Sequence, residues 1–211
     1  EDSPIEANWG YPESKINTEE LIRQNNHNIK TVFLRLAGLY NEEGHSIPIA
    51  HQIQRIYERD FISHFYSGDV NHGDVFVHLD DVLDAFEKTV NRRRELPNEL
   101  ALNIGEPETP TYQQLQNKIG QLIHGKDWAT YEMPPAVAKA GAWARDFVSD
   151  SFVKPWMIDR AGEHYELDIS RAEKYLDWKP KHRLLDTLPD IIENLKRDPE
   201  KWYKNNKLNE K

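Results

Sequence analysis

Apolar residues recur with two different periods along this chain, and the period changes where one element should give way to the next. The segment Thr31–Leu36, reading TVFLRL, is β-branched and nearly continuously apolar, the pattern of a strand buried on both faces of a parallel sheet. Residues 75–78 predict another strand. A helix follows, with Asp80 or Asp81 as its cap and Val82, Phe86 and Val90 recurring every four residues on its apolar face. The same order returns in "LALNIG" and "TYQQLQNKIGQLI". There Thr111 and Gln114 suit a capping box, and Leu115, Ile119, Leu122 and Ile123 make the buried stripe. Ser170 with Glu173 suggests a second capping box, and Leu184, Leu188, Ile191, Ile192 and Leu195 mark a last amphipathic helix.

Between these landmarks the pattern predicts helices over 12–25, 49–59 and 136–147, and short strands in "SHFYSGD" and "WATYEMP". The first ten residues read as loop. The tail "KWYKNNKLNEK" reads as a solvated terminus or a lead into further chain. Alternating strands and helices imply an α/β class. The TVFLRL strand needs a neighbour on each side, and few other long apolar strands are present, so the sheet is expected to be incomplete.

Composition narrows the partners. At 211 residues with a net charge of -9, the chain lacks the clustered Lys and Arg excess that nucleic acid or an anionic membrane surface would require. The run Arg92-Arg93-Arg94 closes a predicted helix, where cations suit the dipole. The chain has no cysteine, hence no disulfide framework and no thiolate metal site. No apolar run approaches a membrane span. A cytoplasmic location is the expectation.

Candidate chemistry begins with "GYPESKINTEE", which sets Tyr11 and Lys15 four residues apart on a predicted helix. Residues at that spacing share a face with Cβ atoms about 5–6 Å apart, so both side chains can approach one ligand. A phenol titrates near 10 and an adjacent ammonium favours its phenolate, which suits proton transfer to or from a hydroxyl or carbonyl. Taken alone, such a pair occurs often by chance and is usually an exposed tyrosine packed on a lysine stem.

A series of motifs gives the pair a context. "YPESKINTE" carries Tyr11, Ser14, Lys15 and Glu19, and "LRLAGLY" carries Leu34, Arg35 and Tyr40. "FVHLDDVLDAF", "LNIGEPETPTY" and "DISRAEKYLDWKP" follow in that order. In these motifs the chain resembles the C-terminal part of an extended short-chain dehydrogenase/reductase, in the NAD-dependent epimerase/dehydratase family. The resemblance implies part of a Rossmann-like doubly wound parallel sheet plus a smaller α/β substrate lobe, with NAD or NADP as cofactor. It implies Tyr11 as catalytic acid/base and Lys15 as its electrostatic partner and ribose ligand, with Leu36, Ala37, Gly38 and Leu39 lining the nicotinamide end. His45, Ser46 and His78 are the expected substrate contacts. It further implies a small-molecule, possibly sugar-like, substrate and a homodimer through the YxxxK helix. Residues 1–110 would hold the C-terminal part of the Rossmann-like domain, and 111–211 mainly the substrate lobe.

The chain also departs from that pattern. Its ten glycines form neither G-x-G-x-x-G nor G-x-x-G-x-x-G, so the pyrophosphate-binding turn is absent from the sequence. Leu36 stands where the family has Pro, Asn41-Glu42 where it has Gly-Pro, and Gly38 where many nucleotide-sugar members have Asn. A fragment of a longer enzyme is the expectation. The alternative is a non-catalytic binding or scaffold module of the same ancestry. A metal site built on His45, His51 and His78 lacks a supporting shell in the sequence, and none is expected.

Overall fold

The computed structural model describes residues 10–25, 29–134, 136–137 and 164–208. Its elements run α1 (Gly10–Asn25), β1 (Thr31–Leu36), β2 (Gly38–Tyr40), α2 (Ile47–Tyr57), a 3-10 turn at Phe61–His64, β3 (Phe65–Tyr66), β4 (Phe76–His78), α3 (Leu79–Asn91), β5 (Glu99–Ile104), α4 (Tyr112–His124) and β6 (Tyr131–Glu132). After these come α5 (Ser170–Leu176), α6 (Leu184–Arg197) and α7 (Pro199–Asn205). The helix expected over 136–147 falls, beyond its first two residues, outside the described residues.

β1 and β5 pair in parallel from Thr31↔Glu99 to Leu36↔Ile104. Among the described residues β1 has no other strand neighbour. β2 continues β1 after Ala37 and pairs in parallel with β4, Gly38 opposite Phe76 and Tyr40 opposite His78. β3 and β6 form a third parallel pair.

Two cores result. In one, α3 and α5 cover the β1–β5 pair, and Val82, Ala85, Leu100, Leu102, Ile104, Ala172, Leu176 and Trp178 are buried together. In the other, α2, α4, α6 and α7 bury Ile49, Ile53, Ile56, Leu115, Ile119, Leu188, Ile191, Leu195 and Trp202 around Tyr40 and Phe76. The chain thus crosses back late: α5, from the C-terminal half of the sequence, packs on the sheet core rather than on the lobe that precedes and follows it.

Several local expectations are corrected. On α3, Phe86 and Val90 are exposed, and the buried face is Asp81, Val82 and Ala85. Each four-residue step turns a helix by 400°, so the series from Val82 to Val90 drifts 80° off the sheet. Neither Asp80 nor Asp81 caps α3. The cap is His78, whose Nδ1 accepts from the Asp80 N–H at 3.2 Å, with both aspartates in the first turn. Ser170 does not cap α5: Ile169 holds that position, and Asp168 Oδ1 accepts the Ser170 N–H at 2.8 Å.

The tail is solvated only in part among its described residues. Asp198 caps α7 by accepting the Lys201 N–H, Pro199 opens its first turn, and Trp202 and Tyr203 are buried in the lobe core. The Thr111–Gln114 capping box, by contrast, forms as predicted, with the Gln114 N–H donating to Thr111 Oγ1 at 3.1 Å and the Thr111 N–H to Gln114 Oε1 at 2.9 Å.

Candidate active site

The direction of α1 decides what its first turn can reach. Glu19 accepts from Arg35, near the C-terminal end of β1, at 2.8 Å. One turn later Arg23 donates to Glu99, the first residue of β5, at 2.8 Å. The helix therefore runs antiparallel to the strands. Tyr11, two turns before Glu19 and about 12 Å further along the axis, is carried to the C-terminal edge of the sheet, where open α/β sheets bind ligands.

No side chain of α1 is fully buried. The helix is held instead by the Glu19–Arg35 and Arg23–Glu99 ion pairs and by the Arg23 guanidinium over the Phe33 ring at 4.7 Å. The Arg35 guanidinium, with Arg23 beside it, holds the Glu19 carboxyl below the usual carboxylate range. Glu19 and Arg35 belong to two separate motifs of the sequence, and neither was assigned a role there. Only the fold shows that they are partners.

At the edge, the Lys15 ammonium lies 5.2 Å from the centroid of the Tyr11 ring, and Tyr11 is 60% exposed. Leu36 and Leu39 are also exposed, so apolar side chains mark the C-terminal end of β1 and the strand that continues it. Ala37 and Gly38 lie between them and are fixed through their backbone, the Ala37 N–H donating to Ile104 O at 2.9 Å and the Gly38 N–H to Val75 O at 3.0 Å. A Cβ on Gly38 would lie 3.0 Å from the Phe76 ring. The glycine allows β2 to approach β4 this closely.

The three expected substrate contacts differ in exposure. His45 is exposed in the loop after β2. Ser46 is buried at the start of α2, its carbonyl accepting the Ala50 N–H at 2.8 Å. His78 is fully buried. The loop that carries His45 is tied down from the far end of the chain: the His45 N–H donates to Asn206 Oδ1 at 2.8 Å, and Asn206 Nδ2 donates to Glu43 O at 2.9 Å. Gly44 has φ +95° in this loop, and a Cβ there would meet Asn206 Oδ1 at 2.8 Å. The sequence offered no signal for the role of Asn206.

His78, Asp80 and His182 have ligand atoms within 4.8 Å of one another; His78 and the Asp80 N–H form the cap of α3, and His182 Nδ1 lies 3.1 Å from Asp81 Oδ2. His78 accepts at Nδ1 from the Asp80 N–H, so its proton sits on Nε2, which faces Glu42 Oε1 at 3.3 Å. Neither nitrogen offers a free lone pair to a metal. The rings of His78 and His182 are stacked, with centroids 4.1 Å apart and 23° between planes.

Residues 1–105 match the model of the NAD dependent epimerase/dehydratase family. Over that span the chain belongs to this family. A UDP-glucuronic acid 4-epimerase from Bacillus cereus in complex with NAD is similar at 19% identity and a TM-score of 0.68, with 93% of this chain and 55% of that one covered. A dTDP-glucose 4,6-dehydratase from Bacillus anthracis str. Ames in complex with NAD gives 16% identity and a TM-score of 0.67, covering 97% of this chain and 58% of that one. MoeE5 in complex with UDP-glucose and NAD gives 18% and 0.65, covering 90% and 56%.

At such identities the likeness shows the fold, a Rossmann-like α/β arrangement of parallel strands and helices. The chain spans little more than half the length of these three proteins. No curated protein matches.

Proposed function

We propose that this chain carries the acid/base helix and the substrate lobe of an NAD(P)-dependent epimerase/dehydratase. The enzyme would act at a hydroxyl- or carbonyl-bearing carbon of a small, sugar-like substrate. The observation that carries the reading is the Tyr11–Lys15 pair at the C-terminal edge of the sheet, 5.2 Å from ammonium to ring centroid, within a span that matches the family.

In this reading Tyr11 takes a proton from, or returns it to, the substrate oxygen. Lys15 favours the phenolate by charge and donates to the nicotinamide ribose. The exposed Leu36 and Leu39, with the fixed backbone of Ala37 and Gly38, offer an apolar wall suited to a nicotinamide ring. When bound, the nicotinamide supplies hydride exchange. The residues present fit this end of the cofactor only, since no glycine-rich turn in the sequence would receive its pyrophosphate. His45 lies beyond the same edge and is assigned to the substrate side.

The test is calorimetric titration of NADH and NADPH into the 211-residue chain, alone and fused behind a βαβαβ half carrying a glycine-rich turn. Binding by the fused protein alone supports the reading. Binding by neither protein would overturn it and favour a non-catalytic module of the same ancestry.

A further inference from the structure

The loop that carries His45 is built from both ends of the chain. After Tyr40 a bridge between Asn41 and Gly44 reverses the backbone, the Asn41 N–H donating to Gly44 O at 3.1 Å and the Gly44 N–H to Asn41 O at 2.9 Å. The reversal brings His45 back toward Tyr40, the residue after the exposed Leu39. Two asparagines from the C-terminal helices fix this turn. Asn194, on α6, donates to Glu42 O at 2.9 Å. Asn206, at the end of α7 and 6% exposed, donates to Glu43 O and to Trp202 O, each at 2.9 Å, and accepts the His45 N–H at 2.8 Å. Glu42 Oε1 lies 3.3 Å from His78 Nε2, so the turn is held beside β4 as well.

The backbone so fixed is an uncommon one. His45 has φ +50°, in the left-handed region that residues with a Cβ seldom occupy and keep where surrounding contacts over-determine the chain. Ser46, at the cap position of α2, makes no side-chain capping bond, so the helix that follows does not impose this conformation. The amide of Asn206 supplies the constraint. The His45 imidazole is exposed and hydrogen-bonds to no described residue. A buried amide thus makes three hydrogen bonds, one of them to the backbone of a residue whose own side chain is left open to a ligand.

We propose that Asn206 is a positioning residue for the substrate side: by fixing the backbone of His45 in advance, it presents the imidazole to an oxygen of the sugar-like substrate. The inference rests on the reading of this edge as an epimerase/dehydratase site. It adds to that reading a residue from the far end of the chain, which acts through His45 and not on the substrate itself. Removing the amide should weaken substrate binding about as much as removing the imidazole, because a ring on an unfixed loop must be ordered anew each time substrate binds.

The test uses the fusion with a βαβαβ half, saturated with NADH, and UDP-glucose as the probe, with affinity read by calorimetry. His45→Ala and Asn206→Ala should each weaken UDP-glucose binding on the order of tenfold and leave NADH affinity unchanged. The double variant should bind no more weakly than either single one, the non-additivity expected when one residue acts through the other. Gly44→Ala disturbs the same contact from the loop side, since its Cβ would lie 2.8 Å from Asn206 Oδ1. It should couple to His45→Ala in the same way, and it replaces Asn206→Ala if that variant does not fold. Losses that add in the double variants would reduce Asn206 to a structural role and overturn the proposal, as would full UDP-glucose affinity in either single variant. NADH binding without UDP-glucose binding would overturn the assignment of His45 and leave the cofactor edge standing. Failure to bind NADH would overturn the reading of the edge itself, and this inference with it.

Discussion

Arg35 on β1 holds Glu19 on α1 with two nitrogens of its guanidinium, Nε at 3.0 Å from Oε1 and Nη2 at 2.8 Å from Oε2. Because α1 buries no side chain fully, this fork and the Arg23 contacts carry its docking, and with it the position of Tyr11. Planar two-point pairing is what arginine provides and lysine does not.

Weakening that fork should free α1 selectively. The Glu19 carboxyl is held below its ordinary 4.5, so its contribution is fully present above that value and is lost as pH falls through the lower folded one. At neutral pH, Glu19→Gln should speed α1 amide exchange relative to wild type, since it loses the charge-assisted fork to Arg35. The gap should close in acid, where wild type is protonated as well. Equal exchange in the two proteins at pH 7 would show that α1 is held otherwise.

The two residues of the proposed acid/base pair should fail differently in the cofactor-binding fusion. Tyr11→Phe should lower kcat by roughly 10²–10⁴ and leave nicotinamide nucleotide affinity near wild type. Lys15→Met should lower both. Calorimetry beside steady-state kinetics separates the two patterns, and undiminished turnover by Tyr11→Phe would remove the tyrosine from the chemistry.

The capping box of α4 gives a stability prediction that does not depend on function. Thr111→Ala removes the acceptor of the Gln114 N–H and should cost about 1 kcal/mol. The loss should appear as a lower urea midpoint with an unchanged slope. An unchanged midpoint would mean that helix packing, and not the cap, sets the start of α4.

The C-terminal segment should prove structural. Trp202 is 1% exposed in the lobe core, and Trp202→Ala should cost about 3–5 kcal/mol. Asn206→Ala should instead act locally, raising exchange at the His45 amide that it anchors at 2.8 Å while costing about 1–3 kcal/mol. Thermal unfolding and residue-resolved exchange distinguish the global effect from the local one.

Much of this was legible in the chain itself. Periodicity placed β1, β5, α4 and α6, because the 2.0 and 3.6 repeats reflect which side chains one local backbone turns toward a core. The Thr111–Gln114 box was readable because its partners lie three residues apart. Local reading failed where a distant segment decided the outcome. Phe86 and Val90 are apolar but exposed, and Trp202 and Tyr203 of the polar tail are buried because α7 meets the lobe. His78 replaced the aspartates as a cap because β4 and α3 join without a loop.

By itself, then, the sequence determined the α/β alternation, the placing of Tyr11 and Lys15 on one helix face, and the family match over residues 1–105. Those properties reside in short windows, or in motifs that a single strand or helix can carry. Tertiary structure alone decided that Glu19 meets Arg35, that Asn206 anchors the His45 loop, and that Asp81 and Glu106 join the two cores. Each of these contacts spans 16 to 161 residues of chain. At such separations a pairing is selected by the packing of whole elements, and no local pattern records it.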